Sequence, residues 1–178
     1  MRMTVGARAL LAALAAGLVA GCSMSPTPAA PSPAAPTPLT SYGSRCTSTG
    51  GLPDARCTPG EADRRVTQAN VGSTICRRGY TASVRPPLVV THAIKVRLTR
   101  AYGIGALPFS QVELDHLVPL SLGGSSSEAN LWPQLRSGPH NVDDKDAVAV
   151  RLNRKVCSGR MSLADAQRAI ATDWLTAS

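Results

Sequence analysis

Four cysteines, Cys46, Cys57, Cys76 and Cys157, constrain the fold of this chain more than any other feature. Aromatic residues are scarce, at 3% of the sequence, so the core is modest and covalent staples carry unusual weight. No two of the four have the Cys-x-x-Cys spacing that structural zinc sites favour, so disulfides are expected in place of a zinc knuckle. Four cysteines allow three connectivities, and spacing alone does not choose among them. The expected pairing is Cys46–Cys57, closing a short loop, and Cys76–Cys157, joining the two halves of the domain. Chain-entropy arguments give each bridge roughly 3–5 kcal/mol, the larger share going to the longer loop.

The fifth cysteine belongs to an address. Arg2 and Arg8 precede an apolar run from Ala9 to Ala20 that is too short to span a bilayer and has the length of a signal h-region. The run ends in Leu18-Val19-Ala20-Gly21-Cys22, which resembles the lipobox of bacterial lipoproteins. That resemblance implies a signal peptide over 1–21 and lipidation of Cys22. It also implies export, with the domain anchored to the cell membrane and facing the periplasm or exterior. The plainer alternative is a secretory signal that leaves Cys22 as an ordinary thiol. Each buried acyl CH₂ adds roughly 0.8 kcal/mol, so a multiply acylated cysteine anchors durably. Residues 22–44 form a tether, almost only Ser, Pro, Thr and Ala from Ser23 to Thr40, with no means of building a core.

Residues 45–178 then form one domain of about 130 residues. Removing the signal peptide takes away two arginines and no acids, lowering the formal charge from +8 to +6. A basic balance suits nucleic acid or anionic headgroups, although exported proteins of other function share it.

The expected architecture is α+β, with helices around one small antiparallel ribbon. Thr58-Pro59-Gly60-Glu61 has capping-box spacing and predicts a short helix start. Val66 to Cys76 predicts a further helical turn or two, and Gly79 to Pro87 a loop. Thr91 is the expected N-cap of a helix carrying Ile94, Leu98 and Tyr102, closed by Gly103. Gln111 to Val118 predicts a strand ended by Pro119. Asn130-Leu131-Trp132 predicts its short return, stopped by Pro133. Asp143 or Asp144 is expected to cap a helix with Val148, Leu152 and Val156 on one face. Ser162 with Asp165 opens a last helix bearing Ala166, Ile170 and Trp174. Trp132 and Trp174 are expected in the core.

The chemistry concentrates in Glu113-Leu114-Asp115-His116-Leu117-Val118-Pro119-Leu120, followed by Gly123-Gly124 and Asn130-Leu131-Trp132-Pro133. This stretch resembles the HNH (His-Me-finger) nuclease pattern: an Asp-His pair on a strand, a glycine-containing loop, an Asn-Leu, then a helix with a third polar residue. The resemblance is close from Glu113 to Trp132 and looser to Asp146. It implies a ββα element, with His116 activating a water, Asp115 binding a divalent ion (Mg²⁺, with Mn²⁺ or another as alternatives), and Asn130 holding the loop. Hydrolysis of a phosphodiester needs a deprotonated water, neutralised phosphoryl oxygens and help for the leaving alkoxide. Histidine has a pKa suited to a neutral-pH base, and aspartate is a hard oxygen ligand.

Two points depart from that pattern. Neighbours on a regular strand point to opposite faces, so a shared Asp115–His116 site predicts a twisted or bulged strand end. At the third position the family usually has His or Asn. Lys145-Asp146 resembles a Lys-Asp pair of its close members, and counting back from it the resemblance implies Asp143 as the metal ligand, with His140 and Asn141 as alternatives. Asp143-Asp144 reads just as well as a helix start favoured by the dipole. Lys145, Arg136 and Arg154 are candidate phosphate contacts beside the plainer reading of a solvated basic face.

The expected function is a sequence-tolerant, metal-dependent endonuclease acting on DNA or RNA outside the cytoplasm, with no obligate protein partner. The alternative is a non-catalytic membrane-anchored lipoprotein that keeps the fold as a binding scaffold.

Overall fold

A computed structural model describes residues 46–178. The expected signal peptide, lipidated Cys22 and tether fall outside the described residues.

The elements run α1 (Tyr80–Val84), α2 (Leu88–Ala101), β1 (Val112–His116), β2 (Leu131–Leu135), α3 (Val142–Cys157) and α4 (Leu163–Asp173), with short 3₁₀ turns between them. The fold is α+β. β1 and β2 form a two-stranded antiparallel ribbon in which Val112 faces Leu135 and His116 faces Leu131. No helix among the described residues is long and apolar enough to cross a membrane.

Helical periodicity builds the core. α3 turns Val148, Leu152 and Val156 inward, and α4 turns Leu163, Ala166 and Ile170, with Trp174 just beyond its end. These side chains pack with Leu122, Val118 and Trp132 in one cluster. Both tryptophans are core, as expected, and Trp174 also donates its indole N–H to Gly51 O at 2.9 Å. The two disulfides pair as expected, Cys46 with Cys57 and Cys76 with Cys157, at Cα separations of 6.1 and 5.6 Å.

Several local expectations give way to tertiary contacts. Thr58–Glu61 starts no helix. Gly60 has φ +88°, and a Cβ there would lie 2.7 Å from Ala171 Cβ. The backbone of this segment laces the later loop instead: Gly60 N–H donates to Ala129 O and Asp63 N–H to Gly123 O, while Ser125 N–H donates to Glu61 O. Thr58 is fully buried, its hydroxyl against Tyr102 Oη and Leu131 O. Val66 to Cys76 holds a single 3₁₀ turn, Gln68–Asn70, followed by further turns. The predicted loop after Gly79 contains α1, which starts after the left-handed Gly79.

α2 begins a turn before Thr91, with Pro87 as its N-cap, and it does end against a left-handed Gly103. β2 runs through Pro133 to Leu135. In a two-stranded ribbon both strands are edges, so a missing N–H can face away from the partner without breaking the ladder. α3 is capped by Asn141, whose side chain accepts from Asp143 N and Asp144 N at 2.9 and 3.2 Å; Asp143 and Asp144 therefore lie in the first turn. In α4, Ser162 is the N-cap and accepts from Asp165 N.

Candidate active site

The site hangs on the connection between β1 and β2. Asn130 is completely buried and its amide spans that loop. Its Oδ1 accepts from Val118 N at 2.8 Å, and its Nδ2 donates to Val118 O at 2.9 Å and Ser125 O at 2.7 Å. Its backbone carbonyl takes the N–H of Leu117, the residue after His116. So tight a clasp leaves no room for a side chain at Gly124, where a Cβ would fall 1.7 Å from Val118 O. Asn130 therefore holds the loop, in line with the expectation from sequence, and touches the reacting region only through the backbone beside His116.

The ribbon stays regular to its last pair, Asp115 with Trp132 and His116 with Leu131, so the expected bulge is absent. Four consecutive residues of β1, Glu113 to His116, nonetheless line one cleft, so adjacent side chains share a site on a regular strand. No third strand among the described residues pairs with β1, and the cleft, of about 230 Å³, is lined by Arg85, Glu113, Asp115, His116 and Asp146.

His116 is 8% exposed. Its Nε2 lies 2.9 Å from Ser126 Oγ. Nδ1 makes no hydrogen bond among the described residues, yet it is not sealed off: the only fully buried side-chain N or O lacking a partner among them is Gln134 Oε1. Burial pushes the imidazole pKa down to about 4. The Asp115 charge opposes that fall, and the Arg85 and Lys145 charges add to it. The ring is therefore neutral near pH 7, with a nitrogen able to accept a proton.

Beneath it lies a buried ion pair. Lys145 is 1% exposed, and its Nζ donates to Asp115 Oδ2 and to His116 O, each at 2.7 Å. Trp132 Nε1 donates to the same Asp115 oxygen at 3.2 Å. Lys145 thus fastens α3 to the end of β1, and its ammonium is withdrawn from the surface where a phosphate contact would need it. Asp115 Oδ1 carries no hydrogen bond from the described residues.

Asp146, the next residue on α3, brings a further carboxylate to the cleft beside Glu113, Asp115 and His116. Desolvation raises its carboxyl pKa, as do the charges of Asp115 and Asp143, against the pull of Lys145 and Arg85. The residue as a whole remains open to solvent.

The other candidates lie elsewhere. Asp143 is exposed one turn earlier on α3 and does not line the cleft. Asn141 spends its side chain on capping α3 and on Gly138 O. His140, at φ +59°, packs its ring edgewise against Trp174 at 6.3 Å. Arg136 pairs with Glu113 at 2.8 Å. Arg154 lines a separate open cleft with Arg77, Arg78 and Arg160 beside the Cys76–Cys157 bridge.

Sequence reasoning passed over Arg85, Ser126 and Asp146. Asp146 could have been found from the helical repeat: Lys145, buried with Val148, Leu152 and Val156, fixes the inward face of α3, and its neighbour flanks it. Arg85 and Ser126 carry no local signal, because only the tertiary fold brings them to His116.

No known protein family, curated protein or solved structure matches this chain. Among the described residues no three His, Cys, Asp or Glu side chains form a ready-made metal cage. The donors nonetheless suit a hard divalent ion of the Mg²⁺ kind, which takes one or two carboxylates and completes its shell with water and substrate phosphate. Asp115 Oδ1 and the Asp146 carboxylate are two such oxygens on one cleft.

Proposed function

We propose that the domain is a metal-dependent endonuclease that hydrolyses phosphodiester bonds of DNA or RNA outside the cytoplasm, with little sequence preference. The observation that carries this reading is the lining of one cleft by a neutral imidazole, an arginine and three carboxylates. Of these, Glu113 is paired with Arg136, and Asp115 and Asp146 remain for a metal. The HNH-like order of Asp115, His116, Gly124 and Asn130 supports it. Two disulfides suit an oxidising compartment, and with the lipobox-like Cys22 they support a lipid-anchored, exported protein.

In this reading His116 accepts a proton from the water that attacks phosphorus. Ser126 fixes the ring: if Nε2 carries the proton and donates to Ser126 Oγ, Nδ1 is the base. Arg85 has no acidic partner among the described residues and faces the cleft, where a guanidinium can neutralise a phosphoryl oxygen. A divalent ion held by Asp115 and Asp146, Mg²⁺ or Mn²⁺, would stabilise charge on the phosphoryl and leaving oxygens. Lys145 keeps the Asp115 carboxylate in place.

One observation favours the scaffold reading instead. Asp115 Oδ2 is already spent on Lys145 and Trp132, which leaves a single oxygen for a metal. Plasmid nicking by the disulfide-intact protein separates the two. The enzyme reading expects cutting with Mg²⁺ or Mn²⁺ that stops in EDTA and falls at least about a hundredfold in His116→Ala. A folded protein that cuts neither DNA nor RNA with either metal leaves the scaffold.

A further inference from the structure

His116 lines a second groove, of about 380 Å³, on the side of β1 toward α2. Its apolar lining is Leu88, Phe109 and Leu114, with His92 beside them. Leu88 is 80% exposed, held out by the Pro86-Pro87 start of α2. The ring of Phe109 is held by two neighbours: Lys95 Nζ lies 4.8 Å from its centroid, and the His92 ring meets it edgewise at 5.5 Å. Lys95 is itself tied to Phe109 O and Val112 O, so this lining is rigid and not a loose surface patch.

Arg85 and Arg136 stand at the groove's margins. Glu113, which also lines it, is paired with Arg136, so these three groups leave a net positive charge. Arg85, Glu113, Leu114 and His116 are common to this groove and to the acidic cleft, so the two adjoin along β1.

We propose that this second groove binds a nucleobase of a single-stranded segment whose neighbouring phosphate lies in the acidic cleft, with Arg85 between them on the phosphate. A nucleotide has the matching chemistry: a flat apolar face for Leu88, Phe109 and Leu114, and anionic oxygens for the two arginines. Aromatic and apolar floors take any base by its face, so the groove adds affinity without reading sequence. The inference rests on the nuclease reading for its substrate class and extends it to single strands and frayed or looped ends.

The test needs no cleavage. Fluorescence anisotropy in EDTA compares a labelled single-stranded hexanucleotide with an abasic phosphodiester of the same length, bound to the disulfide-intact protein. The expected result is about tenfold tighter binding of the base-containing strand. In Leu88→Ser and Phe109→Ala that preference drops to about twofold or less, while affinity for the abasic strand stays unchanged. Leu88 lies outside the core, so its replacement still reads the groove if Phe109→Ala fails to fold.

Equal affinity for the two strands in the wild type, or no binding, overturns the proposal, as does a preference that survives both substitutions. If Leu88→Ser keeps the preference but loses binding to anionic phospholipid vesicles, the apolar tip serves a membrane and the proposal falls. Intact base preference without metal-dependent nicking would sink the enzyme reading alone.

Discussion

At the scale of single residues, burial decides what His116 can do. A solvated imidazole is half protonated near pH 6.5, whereas this one stays neutral down to about 4. The unfolded chain therefore takes up a proton between those values that the folded chain refuses. With more protons bound to the unfolded state, stability falls as pH drops from about 6.5 to about 4 and is insensitive to this group below that. The gap corresponds to about 3 kcal/mol. Urea titrations in EDTA from pH 7.5 to 4 are expected to show that decline in wild type and a shallower one in His116→Gln. An identical decline in both would show that burial at His116 is not its source. Lys145 illustrates the opposite use of charge. Its ammonium is spent on Asp115 and on the His116 carbonyl, so a residue that reads from sequence as a surface cation is a strut between α3 and β1.

At the scale of elements, the loop between β1 and β2 is the least forgiving part of the fold. Gly124→Ala should cost more than about 3 kcal/mol, because its Cβ would displace Val118 O and with it the Asn130 clasp. Gly72→Ala, at a position with nothing within 4 Å, should be close to neutral. Thermal melts of the two variants check this, and equal melting temperatures would contradict it.

The same loop shows what sequence could and could not reveal. The loop-holding role of Asn130 was legible through the resemblance to the HNH pattern, although its bonds to Val118 reach twelve residues back along the chain. The inward faces of α3 and α4 were legible because apolar side chains repeating every 3.6 residues line up only on a helix. The helix expected at Thr58 failed because Gly60 and Glu61 spend their backbone groups on a loop more than sixty residues away. Pro133 did not stop β2, since a ribbon of two edges spares its missing N–H. The bulge expected at Asp115–His116 is absent, yet both side chains line a common cleft from a regular strand.

At the scale of the whole molecule, few aromatics and a small core place much of the stability in the covalent staples. The Cys76–Cys157 bridge spans 81 residues and ties the turn before α1 to the end of α3, whereas Cys46–Cys57 spans 11. Replacing Cys76 and Cys157 by serine should cost about 4 kcal/mol, against about 3 for Cys46 and Cys57, by loop-closure entropy. Denaturant midpoints measure both, and a larger loss at the short loop would argue that local strain outweighs chain entropy here. The open cleft beside the long bridge, with Arg77, Arg78, Arg154 and Arg160, adds to the basic surface on which a polyanion could rest.

The most direct test of the active-site assignment compares three single variants in one metal-dependent nicking assay: His116→Ala, Asp146→Ala and Asp143→Ala. Asp146 lines the cleft with His116, and Asp143 does not, though they are three residues apart on one helix. The expected loss is at least about a hundredfold for His116→Ala and Asp146→Ala, and less than about threefold for Asp143→Ala. Full activity in Asp146→Ala together with loss in Asp143→Ala would contradict the assignment and place the third group one turn earlier on α3.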